Sequence, residues 1–154
     1  MHALRSKHLF TLVLKVNFAG MIDIGQLPHG RRRIAPVEGG TFTGERLNGT
    51  VLPGGADWVL IGAQGAMRLD VRLALKTDDE AMIDLRYQGH FHAAPELAKR
   101  FHRGEPLAPS DFYLRTSAQF ETAASRYAWL NQIICVGSGV QAPGGVAYEM
   151  FEVL

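Results

Sequence analysis

The sequence predicts an all-β protein, a closed or nearly closed antiparallel β-barrel with one short helix. Several segments alternate strictly between apolar and polar residues, as half-buried antiparallel strands require. Turns rich in glycine and proline separate these segments, and only one segment carries helical signals. Many short strands joined by such turns are typical of a barrel or a sandwich. The 154 residues suit one domain, 1–154, and no repeat or shift in composition divides it.

Two central segments show the alternation best. Along the first, one face carries Met67, Leu69, Val71, Leu73 and Leu75, and the other carries Arg68, Asp70, Arg72, Ala74 and Lys76. Along the second, one face carries Ile83, Leu85, Tyr87 and Phe91, and the other carries Asp84, Arg86, Gln88, His90 and His92. The polar residues 77–80 between them suit a hairpin turn.

Other elements follow from the same signals. Residues 45–52 and 58–61 flank Pro53-Gly54-Gly55 and are predicted to form a hairpin. Residues 129–136 and 146–153 flank a second glycine-rich connection and are predicted to pair. A short helix is expected over residues 94–101, where proline comes early and bases come late. Segments 9–18 and 129–136 are apolar on both faces, which predicts cover by a second copy and hence a homo-oligomer.

Composition and charge exclude several classes of protein. A hydrophobic share of 47% with 20% charged residues is ordinary for a soluble domain. The net charge of +1 gives no field toward nucleic acid or a membrane surface, so neither is an expected partner. Lys15 and Asn17 interrupt the apolar N-terminal run, so a signal peptide is not expected and a cytoplasmic location is. The single cysteine, Cys135, is predicted to be buried.

Polar and aromatic side chains recur on these strands and are the candidate site. The predicted catalytic residues are Asp57, Asp70 and Glu121, and the predicted ligand-binding residues are Arg72, Tyr113, Arg115, Trp129 and Asn131. If they point into a barrel lumen, arginine would bind an anionic oxygen, a desolvated carboxylate would move protons and tryptophan would form a wall. Alternatively, Asp70 and Arg72 lie on the solvent face, and Asp57 is a turn residue.

Two further groups have open interpretations. The run Arg31-Arg32-Arg33 is either a clamp for phosphate or carboxylate, or a solvated loop or strand edge. His90 and His92 share a strand face at a spacing that can chelate a metal ion, but no third ligand can be placed beside them. No phosphate-binding loop, dinucleotide fingerprint or nucleophile elbow is present, so neither a metal nor a cofactor is expected.

Motifs from Gly39 onward resemble the domain-of-unknown-function 3237 family, also called uncharacterised protein family 0311. They are Gly39-Gly40-Thr41-Phe42-x-Gly44, Leu47-x-Gly49, the run from Val51 to Trp58, Leu69-Asp70-x-Arg72, Lys76-Thr77-Asp78-Asp79, Tyr113-x-Arg115-Thr116, Phe120-Glu121-Thr122 and the run from Tyr127 to Asn131. The resemblance implies a compact calycin-like or lipocalin-like barrel that holds a small ligand and often self-associates. It implies no reaction or cofactor. Glu80 stands where the family more often has glycine.

The function hypothesis is a barrel that binds a small molecule, with cofactor-free acid/base catalysis on an apolar or aromatic carbonyl or carboxylate compound as its chemistry. The alternative is a non-catalytic binding or assembly module whose barrel is filled by side chains. The two hypotheses differ in the lumen, since the first requires a cavity with polar groups in its wall.

Overall fold

The computed structural model describes residues 2–154 and is almost entirely sheet. Its strands are β1 (Ser6–Val16), β2 (Ile22–Leu27), β3 (Gly30–Thr43), β4 (Asn48–Val51), β5 (Gly55–Ile61), β6 (Met67–Thr77), β7 (Met82–Ala93), β8 (Phe112–Glu121), β9 (Cys135–Ala142) and β10 (Gly145–Val153). One α-helix, α1 (Pro95–His102), lies where the sequence predicts it. Short 3₁₀ segments span Ala63–Gly65, Pro109–Asp111 and Ser125–Gln132. The predicted fold class is confirmed.

The strands close into an antiparallel barrel with eight strand positions. Going round the ring, β1 pairs with β3, β3 with both β4 and β5, these two with β6, and β6 leads through β7, β8, β9 and β10 back to β1. β4 and β5 occupy one position in turn, and β2 pairs with β3 outside the ring. The predicted hairpin between residues 45–52 and 58–61 is therefore wrong. Pro53 and Gly54, the latter at φ 108°, offset the chain without reversing it.

The inner face follows the predicted alternation on β6 and β7, and β8 alternates in the same way. One end of the barrel is filled by aromatic rings, with Phe10 lying 5.6 Å from Phe42 and 6.0 Å from Phe120 between ring centroids. Tyr127 and Leu130 of the last 3₁₀ segment are buried in the same core. This end of the barrel is thus packed by side chains.

The prediction of a two-sided apolar strand over residues 129–136 is wrong. Ser125–Gln132 is a 3₁₀ segment, and β9 begins only at Cys135. Cys135 is buried as predicted, and burial raises the pKa of its thiol to about 12. On β1, by contrast, Val13 is partly exposed on the outer face. The homo-oligomer stays a prediction, to be tested by the solution mass.

The β6–β7 hairpin is confirmed, and its turn is built around Thr77. The Thr77 hydroxyl donates to Asp79 Oδ1 at 2.6 Å and accepts from the Ala81 N–H at 2.8 Å. Glu80 then takes a left-handed backbone conformation with φ 73°, which an L side chain disfavours. The turn thus has a backbone suited to glycine but carries a glutamate.

Glu80→Gly is therefore expected to stabilise the protein by about 0.5–1 kcal/mol, because relief of the left-handed strain exceeds the entropy that glycine loses on folding. The ion pair between Lys76 and Glu80 is exposed and its loss costs little. Urea unfolding of the wild type, Glu80→Gly and Glu80→Ala measures the effect. Alanine removes the same ion pair but keeps the Cβ, so equal stabilities of the two variants would contradict this account.

Candidate functional site

The end of the barrel opposite the packed aromatic rings holds a cavity of about 200 Å³. Its walls are mostly apolar and come from β1, β3, β5, β6, β8 and β10. They include Leu14, Val37, Val59, Val71, Leu114 and Val146. Phe101 and His102 of α1 lie at its mouth, together with Phe18 and Met21 from the β1–β2 connection. The lumen is therefore partly filled and partly open.

Asp57 is an acidic group in the wall of this cavity. It lies on the inner side of β5, opposite Ala35 of β3 and Val71 of β6. Its Oδ1 accepts a hydrogen bond from the Asp70 backbone N–H at 3.0 Å. In the β5–β6 register, the next residues, Trp58 and Val59, have no ladder partner on β6 in the described chain. The Asp57 carboxylate thus accepts from the Asp70 N–H the hydrogen bond that a β5 backbone carbonyl would accept in an uninterrupted ladder.

The environment of Asp57 suits a proton-transfer group. Burial raises the pKa of its carboxyl to about 6, and the nearby charge of Asp70 adds to this effect. The hydrogen bond from the Asp70 N–H and the charge of Arg32 act in the opposite direction. At neutral pH the carboxyl is mostly ionised, yet it lies close enough to its pKa to take up and release a proton.

Two tyrosines face the same cavity. Tyr87 lies on β7 opposite Val71, and its ring meets that of Tyr148 edge to face with centroids 5.3 Å apart. Burial raises the pKa of Tyr87 well above 10, with the charges of Tyr148 and Asp57 adding to it. Burial also raises the pKa of Tyr148 well above its usual value. Both phenols are therefore protonated at neutral pH and can act as hydrogen-bond donors.

The mouth is held by side chains that bind the backbone of neighbouring loops. Gln141 accepts from the Leu107 N–H at 2.9 Å and donates to the Glu105 carbonyl at 3.0 Å. His102 Nε2 lies 2.8 Å from the Gly65 carbonyl, which it can reach only as a donor. These bonds tie α1 and residues 105–107 to the barrel rim. The opening is a defined structure rather than a gap between strands.

Of the eight predicted site residues, Asp57 lines the cavity and the others do not. The prediction that Asp70, Arg72, Tyr113, Arg115 and Glu121 face the lumen is wrong, because each alternates along β6 or β8 with a buried inner residue. For Asp70 and Arg72 the alternative interpretation, a solvent-facing position, is the one observed. The prediction of a side chain that faces the lumen therefore holds for Asp57 alone among the eight.

Three of these outward residues meet in an open groove on the outer surface. Asp70, Tyr113 and Arg115 line it, with Arg32, Arg68 and His90 among their neighbours. Cross-strand pairing places Arg68, His90 and Arg115 in one row over β6, β7 and β8. Arg115 lies 5.1 Å from the centre of the Tyr113 ring, whose other neighbour His92 stacks on it at 4.8 Å. The groove is basic and exposed to solvent.

Arg72 is exposed on the outer face of β6 and borders a second open groove, and the remaining three candidates have structural contacts. Glu121 accepts from Arg86 at 2.7 Å on the outer face. The Asn131 side chain accepts from the Thr122 N–H at 2.8 Å and donates to the Thr122 carbonyl at 3.0 Å. Trp129 packs under the Arg46 guanidinium, 4.5 Å from the ring centre. Trp129 and Asn131 both lie in the 3₁₀ segment rather than on the strand predicted over residues 129–136.

Sequence reasoning missed the cavity's tyrosines and considered Arg33 only as part of the basic run Arg31-Arg32-Arg33. Tyr87 lies on the predicted inner face of its strand with Ile83, Leu85 and Phe91. A phenol hydroxyl among these apolar side chains could have indicated a polar group in the lumen. Arg33 shares the inner side of β3 with Ala35 and Val37, although the basic run around it conceals that alternation. The position of Tyr148 could not be predicted in the same way, because apolar and polar residues do not alternate strictly along β10.

Within residues 2–154, no three His, Cys, Asp or Glu side chains come close enough together to hold a metal ion. His90 and His92 both lie on the outer face of β7. In the same part of the chain, no helix is long and apolar enough to span a bilayer.

The shape of the barrel and its sequence both have known counterparts. A family model described as "protein of unknown function (DUF3237)" matches residues 4–153. The chain belongs to this family. A relative from Rhodopseudomonas palustris, named as a UPF0311 protein, is 34% identical over 151 residues, covering 98% of this chain and 97% of the relative. The resemblance found in the motifs is confirmed.

Solved structures of similar proteins have the same barrel. The crystal structure of the protein of unknown function from R. palustris matches with a TM-score of 0.94 over the full length of both chains. A β-barrel-like protein from Acinetobacter baumannii is 34% identical, with a TM-score of 0.86 over 100% of this chain and 98% of that one. A structure described as that of an enzyme from Penicillium herquei, 21% identical, shares the fold with a TM-score of 0.75 over 100% of this chain and 97% of that one.

Proposed function

We propose that this DUF3237 protein binds a small apolar or aromatic carbonyl compound in its lumen and moves a proton at the carbon beside the carbonyl. The observation that carries the proposal is Asp57, a half-buried carboxyl in the wall of an apolar cavity that also contains Tyr87 and Tyr148. A base with a raised pKa and a donor for the carbonyl oxygen are the groups that such a reaction needs.

The chemistry balances with these groups alone. Asp57, as the carboxylate, takes a proton from the carbon next to the carbonyl, and the electron pair of that C–H bond moves to form an enolate. A tyrosine hydroxyl donates a hydrogen bond to the enolate oxygen, where the negative charge develops. The protonated Asp57 then returns the proton to carbon. No cofactor takes part, and the apolar walls strengthen both polar interactions by excluding water.

The size of the cavity limits the ligand. A cavity of about 150 Å³ lined by apolar residues holds benzene, so the 200 Å³ here suits a single ring with a small substituent. The same volume favours the ligand-binding hypothesis over a barrel filled by side chains. The P. herquei protein, described as an enzyme, supports the idea that this fold can serve catalysis.

The test is deuterium exchange into the methyl group of acetophenone, followed by proton NMR in D₂O. We expect the wild type to accelerate exchange, with a rate that rises through a pH of about 6 as Asp57 ionises. Asp57→Asn should lose about 100-fold or more of this acceleration, a typical size for removal of a general base. Glu121→Gln, which removes a carboxylate from the outer face, is the matched control and should retain the wild-type rate.

Two results would refute the proposal. One is an Asp57→Asn variant that exchanges acetophenone protons as fast as the wild type. The other is a wild type that shows neither exchange nor shifts of cavity resonances on titration with acetophenone.

A further inference from the structure

The basic run Arg31-Arg32-Arg33 divides between three environments. Arg31 forms an ion pair with Asp23 of β2. Arg32 donates to the Trp58 carbonyl at 2.6 Å and borders the outer groove. Arg33 lines both the cavity and the groove outside its mouth. The run is thus neither a single clamp nor a solvated edge, and one member faces the proposed ligand site.

Arg33 has hydrogen-bonding capacity that the protein does not use. Its Nε is buried, and no residue among 2–154 accepts a hydrogen bond from it. Asp23 lies opposite Arg33 on β2, but that carboxylate is bound by Arg31. A buried donor on a charged group is costly when left unpaired, whereas a carboxylate can accept from a guanidinium through two parallel bonds.

We infer that Arg33 is an anion subsite at the mouth, and that the natural ligand is a small carbonyl compound bearing one carboxylate. This inference rests on the proposed function, since the apolar body of that ligand occupies the same cavity. Arg33 lies two residues before Ala35 on β3, and Ala35 is the cross-strand partner of Asp57. Arg33 and Asp57 are therefore about 7 Å apart along the strand direction. The carboxylate lies at the mouth and the reacting carbon lies deeper.

The surroundings of Arg33 favour a carboxylate monoanion over a phosphate. The other polar side chains at the mouth are already bound, Gln141 and His102 to backbone groups and Arg103 to the carboxylate of Glu105. A phosphate dianion beside one guanidinium would leave charge uncompensated against the apolar rim of Phe18, Met21 and Phe101. One negative charge matches one arginine.

The test compares 3-acetylbenzoate with 3-acetylbenzamide, which differ in charge but little in shape. We expect NMR titration of the wild type to give a dissociation constant about tenfold or more lower for the acid. Arg33→Met should abolish this preference while it still binds the amide. Arg33→Lys should keep part of the preference, because lysine supplies the charge but not the planar pair of donors.

Arg115→Met is the matched control, because Arg115 is the basic residue of the outer groove that could bind a carboxylate elsewhere. It should leave the acid preference unchanged. Equal affinities of the wild type for acid and amide would overturn the anion subsite while leaving the proposed function intact. So would a preference that Arg115→Met removes and Arg33→Met does not. Failure of acid, amide and acetophenone alike to bind in the cavity would instead refute the proposed function.

Discussion

Relative to Asp57→Asn, the wild-type protein is expected to lose about 2.5 kcal/mol of stability as the pH rises from about 4 to about 7.5. In the folded state, burial raises the pKa of Asp57 from 3.8 to about 6. The folded protein therefore binds a proton more tightly than the unfolded chain, and this contribution is fully present below the unfolded pKa. It disappears as the pH rises through the folded pKa. Asparagine does not titrate and has no such dependence.

Urea unfolding of the two proteins at a series of pH values measures the difference. Asp23 and Asp79 have lowered pKa values, caused chiefly by hydrogen bonds from Arg31 and from Thr77, so their stabilising effect is lost as the pH falls. Because both residues are present in both proteins, their contributions cancel in the comparison. A difference that stays constant with pH would show that the Asp57 carboxyl is not desolvated in the folded protein.

The same residue shows what the sequence can and cannot predict about the site. Alternation with leucines is enough to place Asp70 and Arg72 on the outer face, because side chains on a strand alternate strictly. Asp57 has no such pattern around it, since it follows the interruption between β4 and β5. Its inward position depends on pairing with β3 and β6, which are far from it in sequence.

The local signals also mislead where closure of the barrel decides the structure. Residues 129–136 read as a buried strand because Leu130, Ile133 and Cys135 are apolar. In the structure Leu130 is buried from a 3₁₀ segment instead. Pro53 and Gly54 favour a turn locally, yet β4 and β5 both pair with β3 and continue in one direction. In both cases long-range pairing outweighs local propensity.

The closure between β1 and β3 leads to the largest effect that we expect on stability. Gly40 pairs with Leu14 across this seam and has φ 152°. A Cβ at this position would overlap the carbonyl oxygen of Val13, a backbone atom that cannot move without opening the seam. Gly40→Ala is therefore expected to cost about 4 kcal/mol or more, from overpacking together with the backbone conformation.

Gly39→Ala separates these two causes, because Gly39 has nearly the same φ, 156°, but more space. The nearest atom to its Cβ would be the Val51 carbonyl oxygen at 3.5 Å, an ordinary contact. We expect Gly39→Ala to cost about 1–2 kcal/mol, for the backbone conformation alone. Thermal and urea unfolding of both variants give the difference, which isolates the contact at the seam. Equal losses would mean that β1 and β3 can separate locally, and the barrel would then be held closed by its other strand pairs.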